Sequence, residues 1–129
     1  MERPEHFEQV DKRGYYRPVG SVPFLKAVDM IANAISYARE NGMTELLANV
    51  RGLNGAYSNI SIFDRHAMAV RWAECAGAHV RVVVVARPEM MDHDKVGLLM
   101  AQNRGATGEV FTEESTALAW LDGRRKPAT

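Results

Sequence analysis

Two arginines and two serines have the types and spacing that best fit binding chemistry. Arg51 follows the short apolar run Leu46–Val50, and Arg87 follows the run Val80–Ala86. Ser58 lies in the Gly/Asn-rich loop 52–59, and Ser61 begins the helix expected after it. Guanidinium groups make forked hydrogen bonds to carboxylates and phosphates. Helix starts add unpaired N–H groups and a partial positive charge. Arg51, Ser58, Ser61 and Arg87 are therefore a candidate site for a small anion. The plainer reading makes the serines helix N-caps and leaves the arginines solvated at loop edges.

Other reactive side chains give less. His6, His66, His79 and His93 show no HxH, HExxH or Cys/His spacing, so neither a metal nor a cofactor is expected. Asp92-His93-Asp94 are adjacent at a helix start and point in different directions. His66 shares the stripe Ile62, His66, Ala69, Ala73 and is expected at the edge of the core. Cys75, the single cysteine, falls in an Ala-rich run and reads as a small apolar filler. No G-x-S-x-G elbow, Walker loop or dinucleotide fingerprint is present. These patterns point away from an enzyme.

The elements that would position these groups follow from periodicity. Phe7–Val10, the turn-like cluster Asp11-Lys12-Arg13-Gly14 and the extended run 15–19 predict a hairpin. Pro18 belongs at a strand end or on an edge. Pro23 opens a helix whose apolar residues Phe24, Ala27, Val28, Ile31, Ala34, Ile35 and Ala38 recur with 3.6-residue spacing, and Asn41-Gly42 closes it. Residues 46–50 read as a strand covered on both faces. A second helix follows over about 61–76, then a central strand over 80–86. A third helix spans about 92–103, a short strand 109–111, and a last helix begins at Thr112–Ser115. This order, a hairpin followed by alternating α-β-α-β-α-β-α, predicts an α/β fold. Its sheet, of three to five strands, is mostly parallel with helices packed against it.

At 129 residues the chain has room for one domain, 1–129, with a core over about 6–122 and a tail, 123–129, expected to be disordered. Lys plus Arg equals Asp plus Glu at 16 each, which argues against the strong basic footprint that nucleic-acid binding relies on and leaves Arg124-Arg125-Lys126 as the only tight basic cluster. The balance also gives little electrostatic protection against self-association. The longest apolar run, 82–86, is far too short to span a membrane, and the first residues lack a signal-peptide pattern. A cytoplasmic location is expected.

The pattern from Gly20 to Leu121 resembles the SpoIIAA-like fold of STAS domains, and more closely the small bacterial proteins described as STAS/SEC14-like. The residues that carry the likeness are Leu47 to Gly55, Asp64-Arg65 and Val82 to Glu89. They continue through Asn103-Arg104-Gly105, Val110 to Glu114 and Ala117 to Leu121. The resemblance implies a right-handed βα superhelix and a non-enzymatic role. It also implies a phospho-acceptor serine at Ser58, with Asn49 in the place of the strand's aspartate. Tyr57 and Ile60 replace the Asp and Gly of the family's Asp-Ser-Ser-Gly stretch, so that switch motif is broken here.

Met30 and Tyr37, seven residues apart on the otherwise polar side of the first helix, are candidate interface residues together with Trp120. The expected function is a regulatory or protein-interaction domain, binding a protein partner or a second copy as a homodimer. The alternative is a carrier of an anionic metabolite or lipid at the carboxyl ends of the strands.

Overall fold

The hairpin is tighter than its sequence indicates. Strands β1 (Phe7–Val10) and β2 (Arg13–Tyr16) pair antiparallel from Phe7↔Tyr16 to Val10↔Arg13, which leaves only Asp11 and Lys12 in the loop. Asp11 sits in the left-handed region at φ 53°, which Asp tolerates better than most residues, and this supplies the reversal. Arg13 and Gly14, expected in the turn, are strand residues. Pro18 lies just beyond the strand's end.

The computed structural model describes residues 2–55, 60–90 and 108–125. The expected helix over 92–103, Asp92-His93-Asp94 and Ser58 with Tyr57 lie outside the described residues. After the hairpin come β3 (Gly20–Ser21), α1 (Phe24–Glu40), β4 (Glu45–Asn49) and β5 (Leu53–Asn54). Next are α2 (Ile62–Ala76), β6 (Arg81–Val85), a short 3-10 turn over Pro88–Met90, β7 (Gly108–Phe111) and α3 (Glu114–Arg125). Helix α3 continues three residues past the expected end of the core at 122.

The main sheet has the order β1-β2-β4-β6-β7, and every pair after the hairpin is parallel. The expected mostly parallel sheet is therefore present, with the run at 81–85 in an interior position. A sheet that grows in one direction through right-handed crossovers places successive helices on one face. Accordingly α1 packs beside α2, while α3 covers the other face over β4, β6 and β7. A second, two-stranded sheet pairs β3 with β5, a contact too short and too non-local to read from sequence.

Strand side chains alternate between the faces. Tyr16, Leu46 and Ala48 point toward α1 and α2 and form the larger core with Phe7, Ala27, Ile31, Ala34, Ile35, Ala38 and Met43. Leu47, Val83 and Val85 point the other way and form a smaller core with Ala117 and Leu121 of α3. Gly14 has a specific packing reason. A Cβ there would lie 2.6 Å from Cζ of Phe7 and 3.1 Å from the sulfur of Met43, so only glycine lets the Phe7 ring cross β2.

Candidate functional site

In this topology the carboxyl ends of β2, β4, β6 and β7 and the amino ends of α1, α2 and α3 share one rim. Ligands in open parallel sheets commonly sit on that rim. Arg51 and Arg87 meet there. Nη1 of Arg87 donates to the Arg51 carbonyl at 2.8 Å, and Nη1 of Arg51 donates to the Thr112 carbonyl at 2.8 Å. Both guanidinium groups thus tie the strand-end loops together. The Arg51 N–H in turn donates to Oδ1 of Asn49 at 3.0 Å. Ser61 is the N-cap of α2, its hydroxyl accepting from the Asp64 N–H at 3.1 Å. Of the four predicted anion-site residues, the structure brings Arg51 and Arg87 together and gives Ser61 a capping role.

A second polar cluster on the rim escaped the sequence. Arg17, just past β2, makes a bidentate pair with Glu114 at the start of α3, at 2.6 and 3.1 Å, and Nδ2 of Asn49 donates to the same carboxylate at 2.8 Å. The hydrogen bond from Arg17, aided by that from Asn49, outweighs burial and holds the Glu114 carboxyl below the ordinary glutamate range. The pair with Glu114 likewise raises Arg17.

At the opposite end of the same face lies a buried ionic row. Glu45, 3% exposed, accepts from Nε of Arg13 at 2.9 Å through one oxygen and pairs with Arg81 through the other. Arg13 also donates to Asp122 near the end of α3 at 2.6 Å and to the Tyr15 hydroxyl at 3.3 Å. Burial works to lower the pKa of Arg13, and its hydrogen bonds to Asp122, Tyr15 and Glu45 more than offset that, so it stays charged. Arg81 donates to the Leu121 carbonyl at 3.3 Å and lies over the Trp120 ring. Helix α3 is thereby clamped to the sheet at both ends, by Arg17 at its start and by Arg13 at its last turns.

The predicted interface residues are largely committed within the chain. Phe7 of the hairpin meets the Tyr37 ring edge-on at 5.0 Å between centroids, and Met30 and Tyr37 both pack against the larger core. Phe7 thus covers Tyr37 on the side of α1 that reads as polar in sequence, a contact no helical pattern reveals, while Lys26, Asp29, Asn33 and Glu40 stay exposed. Trp120 packs with Leu118 on the smaller core, its ring 6.4 Å from that of Phe111.

Among the described residues, the large apolar side chains that do face solvent are Phe63 at 82%, Leu25 at 67%, Val19 at 61%, Val10 at 57% and Ile62 at 55%. Val10 lies at the hairpin turn. The other four share the rim: Val19 beyond β2, Leu25 in the first turn of α1, and Ile62 and Phe63 in the first turn of α2. One sequence signal was available. Phe63 falls off the stripe Ile62, His66, Ala69, Ala73, and Leu25 falls off the apolar stripe of α1.

The chain matches no family model, no curated protein and no solved structure. His66 is half-buried, as expected, and Cys75 is half-buried against the larger core. Among the described residues no group of three or more His, Cys, Asp or Glu side chains is placed to hold a metal ion. Nor is any helix of the described residues long and apolar enough to cross a membrane. An open depression lined by Ser36, Arg39, Glu40, Glu74 and Cys75 lies at the far ends of α1 and α2, away from the rim.

Proposed function

We propose that the chain is a non-enzymatic, STAS-like interaction domain that contacts a protein partner through the rim. The observation that carries this reading is the segregation of the exposed apolar side chains. Among the described residues, four of the five large ones, Val19, Leu25, Ile62 and Phe63, gather where the helices begin. Polar groups surround them, as at a protein-protein contact with an apolar centre and a polar border. The family resemblance rests on the residues quoted above, and a sheet that grows in one direction behind an N-terminal hairpin supports it. The test is site-specific photo-crosslinking in the cells that make the protein. A photoreactive residue at position 63 or 25 is expected to give discrete protein adducts, with none from position 12 at the opposite end. Equal yields at all three positions would remove the rim as the contact surface.

The carrier reading keeps one supporting observation, the meeting of Arg51 and Arg87. Their guanidinium groups already hold backbone carbonyls, so an anion there would compete with the loop contacts. Calorimetric titration with inorganic phosphate is expected to show no saturable binding. Binding that disappears in both Arg51→Ala and Arg87→Ala would reinstate this alternative.

A further inference from the structure

The rim and the clamped helix together specify a partner. Strand β7 runs toward the rim, and α3, starting after two intervening residues, runs back from it. The chain therefore reverses at Thr112-Glu113. Helix α3 has 12 residues and is about 18 Å long, and it reaches from Arg17 at the rim to Arg13 at the far end. Opened at Thr112-Glu113, the chain would carry α3 straight on, past its own rim.

We infer that this chain self-associates rim to rim by exchanging α3, each helix docking on the sheet face of a second copy. The inference rests on the rim being a contact surface, and three observations carry it further. The first is polarity. In a copy placed rim against rim, a helix arriving from the partner enters at Arg17 and ends at Arg13, in the direction that α3 follows within one chain.

The second is charge complementarity. Along the α3 edge nearest β2, Glu114, Leu118 and Asp122 repeat every four residues. The β2 face presents Arg17, Tyr15 and Arg13 in matching order, with the two outer ion pairs formed. Any copy of the chain carries both halves of this match. The third is what the helix leaves behind. Both oxygens of Glu45 are held by Arg13 and Arg81 of the sheet itself, so Glu45 stays paired while α3 transfers, and the second copy's α3 restores the Asp122 and Leu121 acceptors to Arg13 and Arg81.

Exchange of an identical element adds few new requirements, because the contacts made between copies are those made within one. The rim-to-rim arrangement also places Val19, Leu25, Ile62 and Phe63 between the copies, where burial of their apolar surface favours the dimer. Intramolecular docking competes through its effective concentration, in the millimolar range for short connections, so the exchanged dimer grows with protein concentration.

The test uses two full-length variants, Arg17→Glu and Glu114→Arg, one carrying a mass tag. In either alone, like charges face each other at the clamp. Mixed, they form an exchanged heterodimer in which both clamps are matched. The arginine introduced at position 114 of one copy meets the glutamate introduced at position 17 of the other, and the two unaltered residues meet at the second clamp. Native mass spectrometry is expected to show heterodimer in the mixture in at least ten-fold excess over either homodimer. A mixture with no more heterodimer than homodimer overturns the exchange.

Should either variant fail to fold, Arg17→Cys/Glu114→Cys in a Cys75→Ser background is treated with a short bis-maleimide at high protein concentration. A covalent dimer on a denaturing gel supports exchange, and bridged monomer alone overturns it. Bridged monomers that still associate in solution, with the association lost in Phe63→Asp, would overturn the exchange while leaving the rim as the contact surface.

Discussion

The two faces of the main sheet are built on different chemistry. Toward α1 and α2 the strands present aliphatic and aromatic side chains almost exclusively, and fully buried Ala34, Ile35 and Ala38 of α1 close over them. Toward α3 the same strands open with Arg13, Glu45 and Arg81, continue with Leu47 and Val83, and end at the rim with Asn49 beside Arg17. One face is held by area removed from water. The other is a narrow apolar stripe between two ionic rows. The contrast teaches that α1 and α2 close the larger apolar core, whereas α3 adds to its own buried apolar stripe an ion pair near each end.

Breaking the ionic row at its centre gives the largest expected effect. Glu45→Ala leaves buried Arg13 and half-buried Arg81 without their shared partner and is expected to lower stability by about 3–5 kcal/mol in urea unfolding. A loss under about 1 kcal/mol would mean that the row is solvated in practice. On the apolar face, Ile35→Ala is expected to lower stability by about 2–5 kcal/mol through lost contacts and the cavity left behind, with little salt dependence.

Replacing the whole row separates the two cases. Arg13→Met/Glu45→Leu/Arg81→Met is expected to be neutral or more stable than the native chain by up to about 4 kcal/mol. Destabilisation close to that of Glu45→Ala alone would show that the charges are needed for their own sake. The smallest effect is at the rim. Arg17→Ala is expected to lower stability by about 1 kcal/mol or less, and by less still in high salt, because the Arg17 side chain is partly exposed. The pH dependence has a definite sign. The carboxyl of Glu114 is depressed in the folded chain, so its contribution is present at neutral pH and lost as the solution is acidified below the ordinary glutamate range. The stability difference between the native chain and Glu114→Gln is expected to shrink over that acid range in thermal melts.

Much of the α1/α2 face was legible in the sequence because its signals are local. The spacing from Phe24 to Ala38, the N-cap at Ser61 and the β-branched run through Val85 each lie within or directly beside the single element they define. The helix that begins after Thr112 was legible too, but the ion pairs that hold it to the sheet were not, because their determinants are distant in sequence. Arg13 meets Glu45 and Asp122, and Arg17 meets Glu114. A charged residue beside a glycine reads as a turn until those partners are known. The same limit hid the covering of Tyr37 by Phe7 and the β3–β5 pair. It also hid the extent to which the first turns of α1 and α2 leave Leu25 and Phe63 in water.

The missing side chain at Gly14 has a consequence for how the hairpin finds its register. The Phe7 ring needs a vacant spot on the neighbouring strand, and β2 offers one. Sliding the strands by one residue would seat the ring against Arg13 or Tyr15 and turn every β1 side chain to the opposite face. A mispaired hairpin therefore cannot close against Met43 and Leu46. The absence of a single methyl group acts as a key that admits only one alignment.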